Sequence, residues 1–111
     1  MANTLKNVVT NNVGTTEATL YTVPAATTTI LIGLTMANTL NNDQINVSVS
    51  VTDTSASTTA YIVKNATIAP GGALVPIGGE QKVILETGDI VKVQSSANTS
   101  LDVIASVVEQ T

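Results

Sequence analysis

Gln44-Ile45-Asn46-Val47-Ser48-Val49-Ser50-Val51-Thr52 alternates apolar and polar residues at every step. Side chains in a strand point alternately to opposite faces, so Ile45, Val47, Val49 and Val51 share one face while Asn, Ser and Thr share the other. This is the signature of a half-buried strand. Upstream, Thr28-Thr29-Ile30-Leu31-Ile32-Gly33-Leu34-Thr35-Met36-Ala37 places Ile30, Ile32, Leu34 and Met36 on one side and Leu31 and Ala37 on the other, the pattern of a central strand covered on both faces. Shorter runs of the same kind occur at Glu17–Thr22, Ala60–Lys64, Lys82–Leu85, Ile90–Gln94 and Ser100–Val108; in the last, Leu101, Val103, Ala105 and Val107 share a face. A further strand is expected around Leu5–Val9.

Turn chemistry separates these runs: Val23-Pro24-Ala25-Ala26, Asn41-Asn42-Asp43, Asp53-Thr54-Ser55, Pro70-Gly71-Gly72, Gly78-Gly79 and Thr87-Gly88-Asp89. Eight or nine strands at about ten-residue spacing follow, with no sustained helical face anywhere. The expected fold is all-β, an antiparallel β-sandwich of about eight strands, with jelly-roll topology or, alternatively, immunoglobulin-like topology. Residues 1–111 are read as a single β-sandwich domain, since a chain of this length suits one core. Within it, residues 1–13 form either an arm reaching onto a neighbour or a first strand, the strand being favoured. If an arm, its apolar anchors at a partner are Leu5, Val8 and Val9.

The chain contains no His, Cys, Arg, Trp or Phe. That removes most groups used for proton transfer, soft-metal binding, phosphate clamping and sugar stacking. An apolar fraction of 43% with 11% charged residues is the composition of a folding chain, because disorder requires low hydrophobicity as well. Four Lys against eight Asp and Glu give a net charge of −4 with no basic cluster, so nucleic acid is not an expected partner. The longest apolar run, Ile30-Leu31-Ile32-Gly33-Leu34, falls far short of a bilayer span, and the first residues have no apolar signal core; neither membrane insertion nor export is expected. With no cysteine, stability must come from packing or assembly.

Glu86 and Asp89, flanking Gly88, are the closest pair of carboxylates in the sequence. They read as a solvated turn in which Asp89 bonds neighbouring backbone amides, since the spacing of a calcium loop is missing; no metal or other cofactor is expected. Ser and Thr abound, but without His no activating base stands beside them, and the Gly-x-Ser-x-Gly elbow is absent. No catalytic residue is assigned. Carbohydrate binding is the competing function for a sandwich of this kind, yet such sites stack sugars on exposed aromatics and only Tyr21 and Tyr61 are present, both expected to be buried with the hydroxyl at the rim.

Ala18-Thr19-Leu20-Tyr21-Thr22-Val23-Pro24, Ile30-Leu31-Ile32-Gly33-Leu34 with Ala37-Asn38-Thr39, Tyr61-Ile62-Val63-Lys64-Asn65-Ala66, Ile68-Ala69-Pro70-Gly71-Gly72-Ala73-Leu74 and Lys82-Val83-Ile84-Leu85-Glu86-Thr87-Gly88-Asp89 follow one another in this order. Over roughly residues 17–108 that order resembles small virion structural proteins of tailed phages, especially those of cyanobacterial and marine hosts. The resemblance implies a jelly-roll sandwich and a place in the virion, and carries over no enzymatic residue. The first expectation is a capsid decoration or cement protein on the outside of the head, bound to the major capsid protein or other virion proteins and forming a homo-oligomer. A neck, tail or fibre-attachment component is the alternative within the virion, and a sugar-binding host-recognition module the alternative outside that class.

Overall fold

Residues 2–78 and 82–111 are described by a computed structural model, in which all regular structure among those residues is β-strand. The strands are β1 (Asn3–Val13), β2 (Ala18–Thr22), β3 (Thr28–Asn38), β4 (Ile45–Asp53), β5 (Thr58–Ile68), β6 (Ala73–Ile77), β7 (Val83–Leu85), β8 (Ile90–Ser95) and β9 (Leu101–Gln110). They form two antiparallel sheets. One runs β1-β9-β3-β6 with β7 also on β3, and the other runs β2-β8-β4-β5.

The pairings nest about the middle of the chain. β4 pairs with β5, β3 with β6 and β7, β2 with β8, and β1 with β9. Rolling that long hairpin adds the lateral contacts of β3 with β9 and β4 with β8. This is the jelly-roll order, two Greek keys wrapped into a sandwich. The immunoglobulin-like alternative is excluded, because there the first two strands pair in one sheet, whereas β1 and β2 lie in opposite sheets here. The ninth strand arises because one jelly-roll strand is broken: β7 pairs with Thr29–Leu31 and β6 with Leu34–Ala37 along the same side of β3. The expected Gly78-Gly79 turn falls at this break, and its second residue lies outside the described residues.

The core fills the space between the sheets. Leu31, Leu34, Met36, Leu101, Val103, Ala105 and Val107 face Ile45, Val47, Val49, Val91 and Val93, all at most 1% exposed. Each such Val, Leu, Ile or Met contributes roughly 1.5–3 kcal/mol by leaving water, which a chain without disulfides needs against the entropy of ordering. Ile45, Val47 and Val49 of the opening stretch are buried as the alternation requires, as are alternate residues of β9 from Leu101 to Val107.

Register shifts occur in several strands, and in two of them they move residues off the faces that alternation assigns. In β3 the register shifts between Leu31 and Gly33, so Leu31 is core while Ile30 pairs with Val108 and Ile84 on the outer face. The one-face set of Ile30, Ile32, Leu34 and Met36 is thereby split, since a bulge reverses the facing of every residue before it. In β5 the register shifts around Ile62, placing Tyr61 opposite Ser50 and Val63 opposite Val49.

Side-chain amides and hydroxyls hold the loops at both ends. Asn38, buried, donates its Nδ2 hydrogens to the carbonyls of Asp43 (2.9 Å), Ile68 (3.0 Å) and Ala69 (3.2 Å), and its Oδ1 accepts from the Leu40 amide at 2.9 Å. At the opposite end Thr87 Oγ1 donates to the Thr27 carbonyl at 2.7 Å, and Gly88, with φ +87°, donates its amide to the Val23 carbonyl at 3.1 Å.

Candidate functional site

Four of the exposed large apolar residues, Leu5, Val9, Ile84 and Ile104, lie on the outer face of the β1-β9-β3-β7 sheet. Directly opposed residues in antiparallel strands share a face, and the registers align Leu5 with Val108, Val108 with Ile30, and Ile30 with Ile84. One unbroken apolar row therefore crosses four strands. A second, shorter row pairs Val9 with Ile104. Leu5 is 77% exposed, Ile84 70%, Val9 60% and Ile104 52%, values that place large apolar groups in water. Between the rows Asn7, Ser106 and Gly33 keep the surface low, and a shallow cavity of about 340 Å³ opens against Leu5, Asn7, Ile32 and Ser106. Contiguous exposed apolar surface of this kind marks an interaction site.

Of the three anchors anticipated from the sequence, Leu5 and Val9 lie on this face. Val8 points the other way, pairs with Ala105 and packs against the core. The segment is strand β1 throughout Asn3–Val13, so its contact surface is a sheet face and an edge. Ile30, Ile84, Ile104 and Val108 complete the rows and were not anticipated. A signal for two of them was present: Ile104 and Val108 are apolar at the out-of-phase positions of β9.

Asp53, Glu86 and Asp89 bring carboxylate oxygens within 4.8 Å of one another, a spacing that suits a hard cation. The geometry also shows how these groups are used by the fold. Asp89, 4% exposed, accepts the Glu86 amide at 2.9 Å and the Thr54 amide at 3.4 Å, tying the β7–β8 turn to the β4–β5 hairpin. Asp53 accepts the Ser55 hydroxyl at 2.7 Å and the Ala56 amide at 3.1 Å, and these bonds hold its carboxyl below the usual range. Asp53 joins the pair only through the fold, and no sequence spacing announces it.

Tyr21 is buried, as its position on β2 suggests. Its hydroxyl meets Thr29 Oγ1 at 2.8 Å and donates to Glu109, which also faces the Lys6 ammonium at 3.6 Å. Burial, reinforced by the Glu109 hydrogen bond, raises the phenol to about 12. Tyr61, expected to be buried, is 46% exposed, because the shift at Ile62 puts it on the outer face; the Lys64 ammonium stands 4.2 Å from its ring centroid. That ring face is already occupied by a cation. Nearby, a polar groove of about 300 Å³ is lined by Asn46, Ser48, Asn65, Gln94 and Ser96. Some of these groups engage one another, with the Asn65 amide on Ser48 Oγ at 3.1 Å and the Asn46 amide on Ser96 Oγ at 2.9 Å.

No protein-family model and no curated protein matches the sequence. Among solved structures, the fold is similar to the structure of infectious bursal disease virus, Gx strain, with a TM-score of 0.58 at 9% identity over 96% of this chain and 32% of that one. A mutant VP2 protein of infectious bursal disease virus in derived T=1 particles gives a TM-score of 0.51 at 8% identity, over 96% of this chain and 31% of that one. The chain thus spans about a third of the length of these neighbours. At such identities the likeness is one of fold, and the β-sandwich described here is the fold that chains of those virus particles contain.

Proposed function

We propose that this protein is a non-enzymatic structural component of a virion, a decoration or cement protein that binds the major capsid protein lattice on the outside of a phage head and is displayed there as a homo-oligomer. The observation that carries this reading is the exposed apolar face of the β1-β9-β3-β7 sheet on a rigid jelly roll. A cement protein works through many modest contacts repeated by symmetry, so a flat, pre-formed, apolar surface fits the task. Support comes from the likeness of the sandwich to chains of virus particles and from the ordered resemblance to tailed-phage virion proteins. The chemistry of the surface agrees, for it consists largely of hydroxyls, amides and aliphatic groups rather than an acid–base constellation.

Immunogold electron microscopy on intact particles, with antibody raised against this chain, tests the proposal. Label distributed over heads supports it. Label confined to necks or tails assigns the protein to a neck, tail or fibre-attachment role, and absence from particles overturns the virion reading.

A further inference from the structure

Five strands lie along the margins of the two sheets, and in four of them short length, proline or register shifts interrupt the edge and discourage further pairing. β2 has five residues and a register shift, β6 contains Pro76 beside the three-residue β7, and β5 has two register shifts with Asn65 at φ 54°. β1 differs. It runs for 11 residues without Pro or Gly and carries a single charge, Lys6; its register shift and the positive-φ Asn12 (φ 56°) fall after Thr10, which leaves Asn3 to Thr10 regular. Its inner neighbour is β9, and its other side ends the sheet. A long regular edge of this kind leaves N–H and C=O groups directed outward, ready to pair with another strand.

We propose that β1 is a homodimerisation edge, pairing antiparallel with β1 of a second copy about a two-fold axis through Asn7. This deepens the homo-oligomer of the proposed function and rests on that reading only for its place in the particle. The register follows from the residues. Antiparallel partners must share a face, and an axis at Asn7 sets Leu5 of each copy opposite Val9 of the other, Lys6 opposite Val8 and Thr4 opposite Thr10. The two most exposed apolar residues of the strand thus cover one another twice. The row Ile84, Ile30, Val108, Leu5 continues into Val9 and Ile104 of the second copy, and two five-stranded sheets become one.

Charge agrees with a second copy as the occupant. Although the chain carries a net charge of −4, no like charges meet in this register: Lys6 is held by its own Glu109 at 3.6 Å, and its aliphatic stem would lie against Val8 of the second copy. Such a contact is isologous and closes on itself, so it ends the sheet where an open edge would propagate.

The test uses the full chain in solution, without particles, so its failure is distinguishable from failure of the virion reading. Sedimentation equilibrium should give twice the 11.3 kDa chain mass. With no native cysteine, single thiols report geometry cleanly. Asn7→Cys places two thiols at the axis, where opposed Cα atoms about 4.5–5.5 Å apart suit a disulfide. Asn3→Cys places them about 26 Å apart, eight residues along the ladder. Asn7→Cys should cross-link on the order of tenfold faster than Asn3→Cys. The Leu5→Lys/Val9→Lys variant, altered only at exposed positions, should be monomeric with an unchanged circular dichroism spectrum, and Leu5→Lys/Val9→Glu should recover the dimer. A monomer at the highest soluble concentration overturns the proposal, as does a dimer whose Asn7→Cys form cross-links no faster than Asn3→Cys.

Discussion

Tyr21 shows how far one residue couples distant parts of the chain: its hydroxyl joins Thr29 of β3 and Glu109 of β9, and through Glu109 it reaches Lys6 of β1. Its phenol is raised from 10.0 to about 12, chiefly by burial. A group whose folded pKa lies above its unfolded value holds its proton more tightly in the native state. Its contribution to stability is therefore intact below pH 10 and is lost as pH rises toward about 12. Alkaline titration followed by tyrosinate absorbance should show a phase near 12 that Tyr21→Phe removes, and a midpoint near 10 for that phase would refute the buried hydrogen-bonded phenol. Residue-level reading found the burial of Tyr21 and the amide bonds of Asp89, because both follow from local sequence; the turn expected to be solvated nevertheless buries Asp89, at 4% exposed, because the Thr54 amide of the β4–β5 hairpin also closes on it. That reading could not find Asp53 as their neighbour's companion, since that approach joins two hairpins far apart in the chain.

At the scale of elements, β4 and β9 were legible because neither strand is bulged, so that alternate residues from Ile45 to Val49 and from Leu101 to Val107 all face the core. β3 and β5 were harder. Their bulges at Ile32 and Ile62 use ordinary β-branched residues with nothing to announce them, and each reverses the facing of its neighbours. That is why Ile30 emerged on the surface and Tyr61 did not enter the core. The β7–β8 turn was legible from Thr87-Gly88-Asp89, and Gly88 is constrained twice over: φ is +87°, and an added Cβ would lie 2.9 Å from Thr54 Oγ1. Gly88→Ala should destabilise the fold by about 1–3 kcal/mol in chemical denaturation. A change of a few tenths would mean the turn relaxes freely. By the same logic Gly71, at φ +70° with nothing near its Cβ position, should be less costly to replace.

For the whole molecule, period-two alternation and the spacing of turns settled the class of fold, and the nesting of strands had to come from three dimensions. Nothing in Leu5–Val9 reveals that its partner lies a hundred residues on in β9, because pairing of the first strand with the last depends on how the long hairpin rolls. The global charge bears on function at this scale. Net charge is −4, yet the residues of the two apolar rows carry none of it. The proposed attachment to particles through this face predicts binding that persists as ionic strength rises, since salt screens charged contacts and leaves apolar burial in place. Co-sedimentation with particles across a salt series checks this, and release at high salt would assign attachment to charged groups instead.

The pairing of β1 with β9 also brings the chain's ends together, with the Thr111 amide on the Ala2 carbonyl at 3.0 Å. A pulling force applied between those ends would peel the two strands apart one hydrogen bond at a time, the weak mode of a zipper. A force transmitted along β1 from its outer edge would instead load the whole β1·β9 ladder in shear, with its rungs sharing the strain. The molecule is mechanically directional: it resists tension that enters through the strand edge better than tension that enters through the termini.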